Sequence, residues 1–265
     1  MSRLPLHVFT IVLDGMPWLP AIFVELNRLI DVPWQWTIVE GAAMNVKDTA
    51  WCTAQNPRYS SDGTTEFLNA LGYHPRIVVL RKPRWEGKVE QCNAALETFK
   101  GPGVLLQVDA DEIWAADQLR TIVNCFEDVP RLNLMRFRCR YFVGTNLITD
   151  LNEPQNQWLR AWRFAPGDTF STHEPPVMAG NKGPGMTVQE TASLGLIFDH
   201  YSYATAAQSE FKARFYGKKY EGALQGWLKL QRHERLPAKI KTFFPWSAES
   251  TTVDRVFHAR TKTQG

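Results

Sequence analysis

Cysteine is scarce in this chain, and what there is forms no pattern. Cys52, Cys92, Cys125 and Cys139 show no CxxC pair and no zinc-like spacing to histidine. Nothing here argues for a disulfide scaffold or a zinc fold. Buried free thiols in a reducing compartment are expected instead. Long apolar runs are also missing. The stretch from Leu4 to Val24 is interrupted by Asp14 and three prolines, so no spanning helix is expected there. No N-terminal signal peptide is legible, and the cytoplasm is the expected compartment. Internal repeats and low-complexity linkers are absent from the pattern. Net charge is low as well, at +3 over 265 residues, too small to argue for nucleic acid as a partner.

What is present is a globular composition, 44% hydrophobic and 22% charged, with ten tryptophans. The charge is uneven. Residues 1–200 carry 18 basic and 22 acidic side chains, whereas 201–265 carry 12 and 5. A basic C-terminal quarter suits an anionic ligand or an anionic membrane surface, and a solvated helical face would look the same.

Along the first half, short β-branched runs alternate with helical periodicity. HVFTIVL (7–13), WTIVE (36–40), RIVVLR (76–81) and VLLQV (104–108) read as strands. Segments 17–30, 64–71, 86–99 and 116–126 read as helices, with Pro20 confining the first to its later part. The strands are almost wholly apolar, as in a parallel sheet covered on both faces. Residues 41–62 read as a long polar loop. Beyond residue 130 the rhythm changes. Residues 132–143 alternate like a long half-exposed strand, WLRAWRF (158–164) is a candidate partner for it, and 194–203 is a further strand. Residues 206–232 form a basic helical region interrupted near Gly222.

In an open parallel sheet, ligands bind at the carboxyl ends of the strands. The residues there are Asp14, Glu40, Arg81 with Lys82, and Asp109 with Asp111. Asp109 and Asp111 share one face if the fourth strand persists that far. Two carboxylates so placed suit a hard divalent cation such as Mn²⁺ or Mg²⁺. A solvated strand end followed by helix-capping acids has the same sequence. Glu112, on the other face, is expected to cap or brace the next helix.

The motifs FTIVLDG (9–15), TIVEGA (37–42), KVEQCNAAL (88–96) and VLLQVDADEIW (104–114), in this order, resemble nucleotide-sugar-dependent glycosyltransferases with the GT-A fold, particularly the inverting family 2 type. The resemblance covers the first half well and the second loosely. It implies a Rossmann-like α/β fold, a mostly parallel sheet flanked by helices with an elaborated C-terminal half. Residues 1–130 would be the nucleotide-sugar-binding half. Residues 131–265 would be the acceptor-binding half with basic C-terminal helices, in one integrated domain. The donor would be a UDP- or GDP-sugar and the acceptor a glycan or a lipid-linked hydroxyl, with peripheral membrane contact through the basic region.

The same resemblance assigns residues. Val12, Asp14 and Glu40 would meet the nucleoside, although family 2 enzymes commonly have Asp where this chain has Glu40. Lys88 and Gln91, one turn apart, would face the nucleotide; Lys88 in a surface pair is the plain alternative. Asp109 would touch ribose or metal, and Asp111 the metal. FSTHEPPVM (170–178) supplies Glu174 as the base for the acceptor hydroxyl, with His173 beside it, or else a simple loop ion pair. The two following prolines hold this pair in an extended or turn conformation. His200 is the best match for a C-terminal metal ligand, and a structural histidine among aromatics is the alternative. Lys212, Arg214, Lys218 and Lys219 would close over the diphosphate, and a solvated helix face accounts for them equally well. A nucleotidyltransferase would also join a sheet to an acidic pair, but LDGMPWLP has one glycine and no basic residue after strand one. A non-catalytic carbohydrate-binding protein of the same fold is the reading from another class.

Overall fold

A computed structural model describes residues 3–44, 56–149, 157–180 and 183–256; the side chains of residues 218 and 219, and Cys52, lie outside the described part. The described chain forms two compact units. The first holds residues 3–44, 56–137, 158–180 and 183–196, and the second holds 138–149, 157 and 197–256.

The first half folds as its periodicity predicts. β1 (Leu6–Val12) leads to α1 (Leu19–Asn27), where Pro20 is tolerated because it falls in the first turn. β2 (Trp34–Ala43) and α2 (Thr64–Leu71) follow, then β3 (Ile77–Trp85) and α3 (Lys88–Leu96). β4 (Gly103–Gln107) and the two-residue β5 (Glu112–Ile113) precede α4 (Ala116–Asp128). Then come β6 (Leu134–Gly144), β7 (Leu147–Thr149) and β8 (Trp158–Phe164). A hairpin of β9 (Phe170–His173) and β10 (Pro176–Met178) is followed by β11 (Gly185–Met186) and α5 (Val188–Ser193). The described residues continue with β12 (Ile197–His200), α6 (Ala206–Tyr216), α7 (Ala223–Gln231), β13 (Ala238–Lys239) and β14 (Thr252–Arg255).

In the first unit β3, β2, β1 and β4 are parallel neighbours, in that order. β8 adds antiparallel to β4, and the start of β6 adds antiparallel to β8. This is an α/β fold built on a mostly parallel sheet. The chain moves outward from β1 to β3 and then crosses to β4 on the other side of β1. In such sheets ligands bind at a reversal of this kind, beyond the carboxyl ends of the strands that flank it, here β1 and β4.

Alternation along the strands builds a core on each face. Phe9 and Leu105 pack with Cys92, Ala95, Leu96 and Phe99 of the α3 segment and with Trp162 of β8. Val8 and Leu106, one residue out of phase, line an apolar space with Ile22 and Leu26 of α1 and Leu119 of α4. The second unit has its own core, in which Val143, Leu147 and Val253 meet Tyr203, Leu230, Phe243 and Phe244. There β12 runs parallel to the later part of β6, and β7 and β14 pair antiparallel.

Three expectations are corrected. β2 does not stop at Gly41 but runs on to Ala43, with an irregular register against β3 at that point. Gly41 permits this because its φ is +131°, and a Cβ there would run into the carbonyl oxygen of Lys82. β4 stops at Gln107, so Asp109 and Asp111 lie in a turn closed by the Glu112 amide on the Asp109 carbonyl, 2.9 Å. The 206–232 helix breaks at both Gly217 and Gly222, where φ is +68° and +83°. Among the described residues no helix is long and apolar enough to cross a membrane.

Gly41→Ala combines a left-handed φ with a backbone collision. It is expected to lower stability by about 2 kcal/mol or more, read as a lower midpoint in urea unfolding followed by circular dichroism.

Candidate active site

Arg160 lies on β8, the strand beside β4. Its side chain is 4% exposed. Its Nε donates to both oxygens of Glu112, at 3.0 and 3.2 Å. Nη2 reaches Glu112 Oε1 and Asp109 Oδ2, each at 2.7 Å. Glu112 is fully buried, and the Arg160 guanidinium also lies over the Trp158 ring, 4.8 Å from its centroid. Glu112 therefore braces β8 rather than the helix that follows it. The α4 amides are served elsewhere, Ala116 by Glu25 and Ala115 by Gln118.

Asp109 accepts a second bond from Gln107 Nε2 at 3.1 Å, and that same nitrogen lies 3.5 Å from His173 Nε2. Burial pushes the Asp109 carboxyl up, but Arg160, His173 and Gln107 together hold it below the usual range against the repulsion of Asp111. His173 closes β9 and is buried. The next residue, Glu174, stands in the turn between β9 and β10, one of the two conformations expected before the prolines. Glu174 Oε1 accepts from Lys88 Nζ at 2.8 Å, and His173 Nδ1 lies 3.3 Å from the same oxygen. Burial again works against ionisation, but His173 and Lys88 more than offset it, bringing the Glu174 pKa down to about 2. Asn93 of α3 fixes the hairpin in place, because its amide bonds both the N–H and the carbonyl of Phe170.

The structure thus brings Asp109, His173, Glu174 and Lys88 into one polar chain, with Gln107 as its linking member and Arg160 holding its Asp109 end. Asp111 is half-buried in the turn beside it.

Asp14, Glu40 and Gln91 sit in a second set of contacts, and each is committed to protein partners. Asp14 has φ +58°, unusual for a non-glycine residue. Its carboxylate accepts from the Arg58 guanidinium and from the Ser61 amide, and its own N–H donates to the Ser60 hydroxyl. Burial raises its pKa, but Arg58 and Ser61 lower it further, leaving it below the usual value. Glu40 is fully buried. Arg81 Nε lies 2.6 Å from its Oε2, and Oε1 accepts from the Ser60 amide and the Thr65 hydroxyl. Gln91, also buried, donates to the Gly41 carbonyl at 2.9 Å, while the Trp85 indole donates to the carbonyl of Glu40. Val12 is buried at the end of β1. These bonds fasten the carboxyl end of β2 and the segment around Ser60 to the rim of the sheet.

His200 belongs to the second unit. It is buried there beside Tyr141, with ring centroids 5.1 Å apart, and Phe198. In the same unit Lys212 bonds the Ser202 hydroxyl and Arg140 pairs with Asp199, while Arg214 is exposed. Among the described residues no group of three or more His, Cys, Asp or Glu side chains is placed to hold a metal ion. The carboxylates of Asp109 and Asp111 are nevertheless the oxygen ligands that Mn²⁺ or Mg²⁺ prefers.

Arg160, Arg58 and Gln107 escape a motif-based reading. Arg160 carried a signal all the same: in WLRAWRF it alternates with Trp158 and Trp162 on what must be the buried face, and a buried arginine requires a carboxylate.

Residues 59–183 match the family model described as Glycosyl transferase family 2, which bears out the family 2-like resemblance over that stretch. Among curated proteins, none matches the chain. Among solved structures, the mannosyltransferase PcManGT from Pyrobaculum calidifontis, in complex with GDP-Man and Mn²⁺, is 16% identical over 92% of this chain and 68% of its own, with a TM-score of 0.46. TarS 1–349 from S. aureus, in complex with UDP-GlcNAc, is 14% identical over 52% of this chain and 35% of its own, with a TM-score of 0.38. The chain spans 22% of the longer TarS structure, well under two thirds of the TarS chains it matches.

Removing one partner of the buried arginine pair should be worse than removing both. Arg160→Met leaves Glu112 buried without its cation and is expected to cost about 3–5 kcal/mol in urea unfolding. Arg160→Met with Glu112→Met should recover part of that loss, the more exposed Asp109 still lacking its cation.

Proposed function

We propose that this chain is a glycosyltransferase that moves a sugar from a nucleotide diphosphate-sugar, a UDP- or GDP-sugar, to an acceptor hydroxyl. Displacement is in one step and with inversion. The observation that carries the reading is the polar chain from Asp109 to Lys88 through Gln107, His173 and Glu174. It sets an acidic turn and a base candidate together at the reversal of the parallel sheet. The family 2 match over residues 59–183, which includes every member of that chain, supports it.

In this reading Asp109, held by Arg160 and Gln107, accepts from a donor hydroxyl such as those of the ribose. Val12 and the bonded set around Asp14, Glu40 and Gln91 shape the nucleoside end of the site, and Lys88 meets the negative charge of the diphosphate. Glu174 takes the proton of the acceptor hydroxyl, with His173 orienting its carboxylate. Mn²⁺ or Mg²⁺ would be held through Asp111 foremost, with Asp109 beside it; when bound, it neutralises charge on the departing diphosphate. The acceptor is a glycan or a lipid-linked hydroxyl. The excess of Lys and Arg after residue 200 supports peripheral contact with an anionic membrane.

The protein incubated with a panel of nucleotide sugars and Mn²⁺ is expected to bind nucleoside diphosphate and to hydrolyse one donor slowly without acceptor. Asp111→Ala should lose both. If no nucleotide binds with either metal and Asp111→Ala changes nothing, the reading fails. Glu174→Gln is expected to reduce transfer by about 10²–10⁴-fold, the contribution of a general base, while donor binding measured by calorimetry changes little.

A further inference from the structure

A general base works best when its pKa lies near the pH of the reaction, and Glu174 is held far from that condition. Its Oε1 is shared by two groups, the Lys88 ammonium at 2.8 Å and the His173 imidazole at 3.3 Å. Among the described residues these are the charged or titratable side chains brought to the carboxylate, one from α3 and one from β9, with Asp109 behind His173 through Gln107. A carboxylate paired in this way is fully ionised and a weak proton acceptor.

The two partners differ in freedom. His173 is 6% exposed and boxed in by Gln107, so it stays with Glu174. Lys88 is 14% exposed and carries its charge on a flexible four-carbon stem. It is the first residue of α3, behind Gly87, whose backbone is extended and which offers no capping side chain. The α3 amino terminus thus adds its own partial positive charge beside the lysine. A doubly or triply charged diphosphate arriving at the site outcompetes a single carboxylate for that ammonium.

The geometry points to Lys88 as a donor-operated latch on the catalytic base: it holds Glu174 in an ion pair when the site is empty and transfers to the donor diphosphate when the site is filled. Lys88 keeps its proton throughout. Glu174, released, takes the proton of the acceptor hydroxyl; that oxygen forms the new bond to the anomeric carbon, and the bond from this carbon to the diphosphate breaks, with its electron pair leaving on the nucleoside diphosphate. Lys88 is then a positioning residue for the base as well as a donor contact, and the base is competent only when there is a donor to attack. The inference rests on the glycosyltransferase reading above.

The test is a carboxyl-¹³C titration of Glu174 by NMR, assigned through Glu174→Gln, with UDP and GDP as probes in the presence of Mg²⁺. In the wild type the Glu174 pKa is expected to rise by about one or more when the bound nucleotide is saturating. In Lys88→Met it should already be raised without nucleotide and move little further, and nucleotide affinity should fall by about tenfold, the size of one charge-assisted hydrogen bond. Lys88→Arg, which keeps the charge, should restore the low value in the empty site and so separates the latch from any folding defect of Lys88→Met. Nucleotide that binds the wild type without moving Glu174, or binds Lys88→Met as tightly as the wild type, overturns the latch alone. If neither UDP nor GDP binds the wild type, the glycosyltransferase reading falls with it.

Discussion

A guanidinium that water barely reaches must find its countercharges inside the protein, and Arg160 finds Glu112 and Asp109. Desolvating three charged groups is costly, and their mutual attraction repays it only when the hydrogen bonds are complete. Here the geometry is forked on Glu112 and single on Asp109. The cluster does three jobs through one side chain. It ties β8 to the turn after β4, it fixes the direction of the Asp109 carboxylate, and it absorbs part of the negative charge that Asp109, Asp111 and Glu112 bring into so short a stretch. Without Arg160 the acidic turn would have to open into water or take up protons.

The carboxylates at the sheet rim follow the same logic. Asp14 is matched by Arg58, Glu40 by Arg81, and Glu174 by Lys88. Asp14 lies just beyond β1, Glu40 towards the end of β2 and Glu174 in the hairpin turn, and each cation comes from a different element. The Asp14 and Glu174 pairs therefore act as fasteners between segments that share no regular hydrogen bonding, while the Glu40–Arg81 pair reinforces neighbouring positions of β2 and β3. A ligand entering this rim exchanges bonds with the protein, so its affinity reflects what it releases as well as what it gains.

Much of this was legible in the sequence. The alternation of apolar strand runs with helical periodicity located the four parallel strands and the helices between them, because local pattern and burial agree there. The carboxyl-end rule then named Asp14, Glu40, Asp109 and Asp111 as rim residues, and the two prolines after Glu174 left an extended or a turn conformation there, of which the structure has the turn. What stayed hidden was pairing. Arg58, Arg81 and Arg160 are separated from their acids by 44, 41 and 48–51 positions, and no local periodicity links residues that meet only after the sheet has formed. The extension of β2 past Gly41 was hidden for another reason: glycine usually ends a strand, and here its left-handed φ lets one continue.

β8 sends its two arginines in different directions. Arg160 serves the acidic turn, while Arg163, three positions on and therefore on the opposite face, donates to the carbonyls of Phe126, Val129 and Leu132 where α4 gives way to β6. Between them Trp162 fills the core against Phe170. A strand with this order of charge and bulk tolerates only one alignment. Slipping it by a single residue would carry an arginine into the apolar layer, strip two carboxylates of their cation and leave three carbonyls unanswered. Packing alone often forgives a near miss; electrostatics of this kind does not. The charges of β8 thus make a misaligned sheet costly as well as poorly packed.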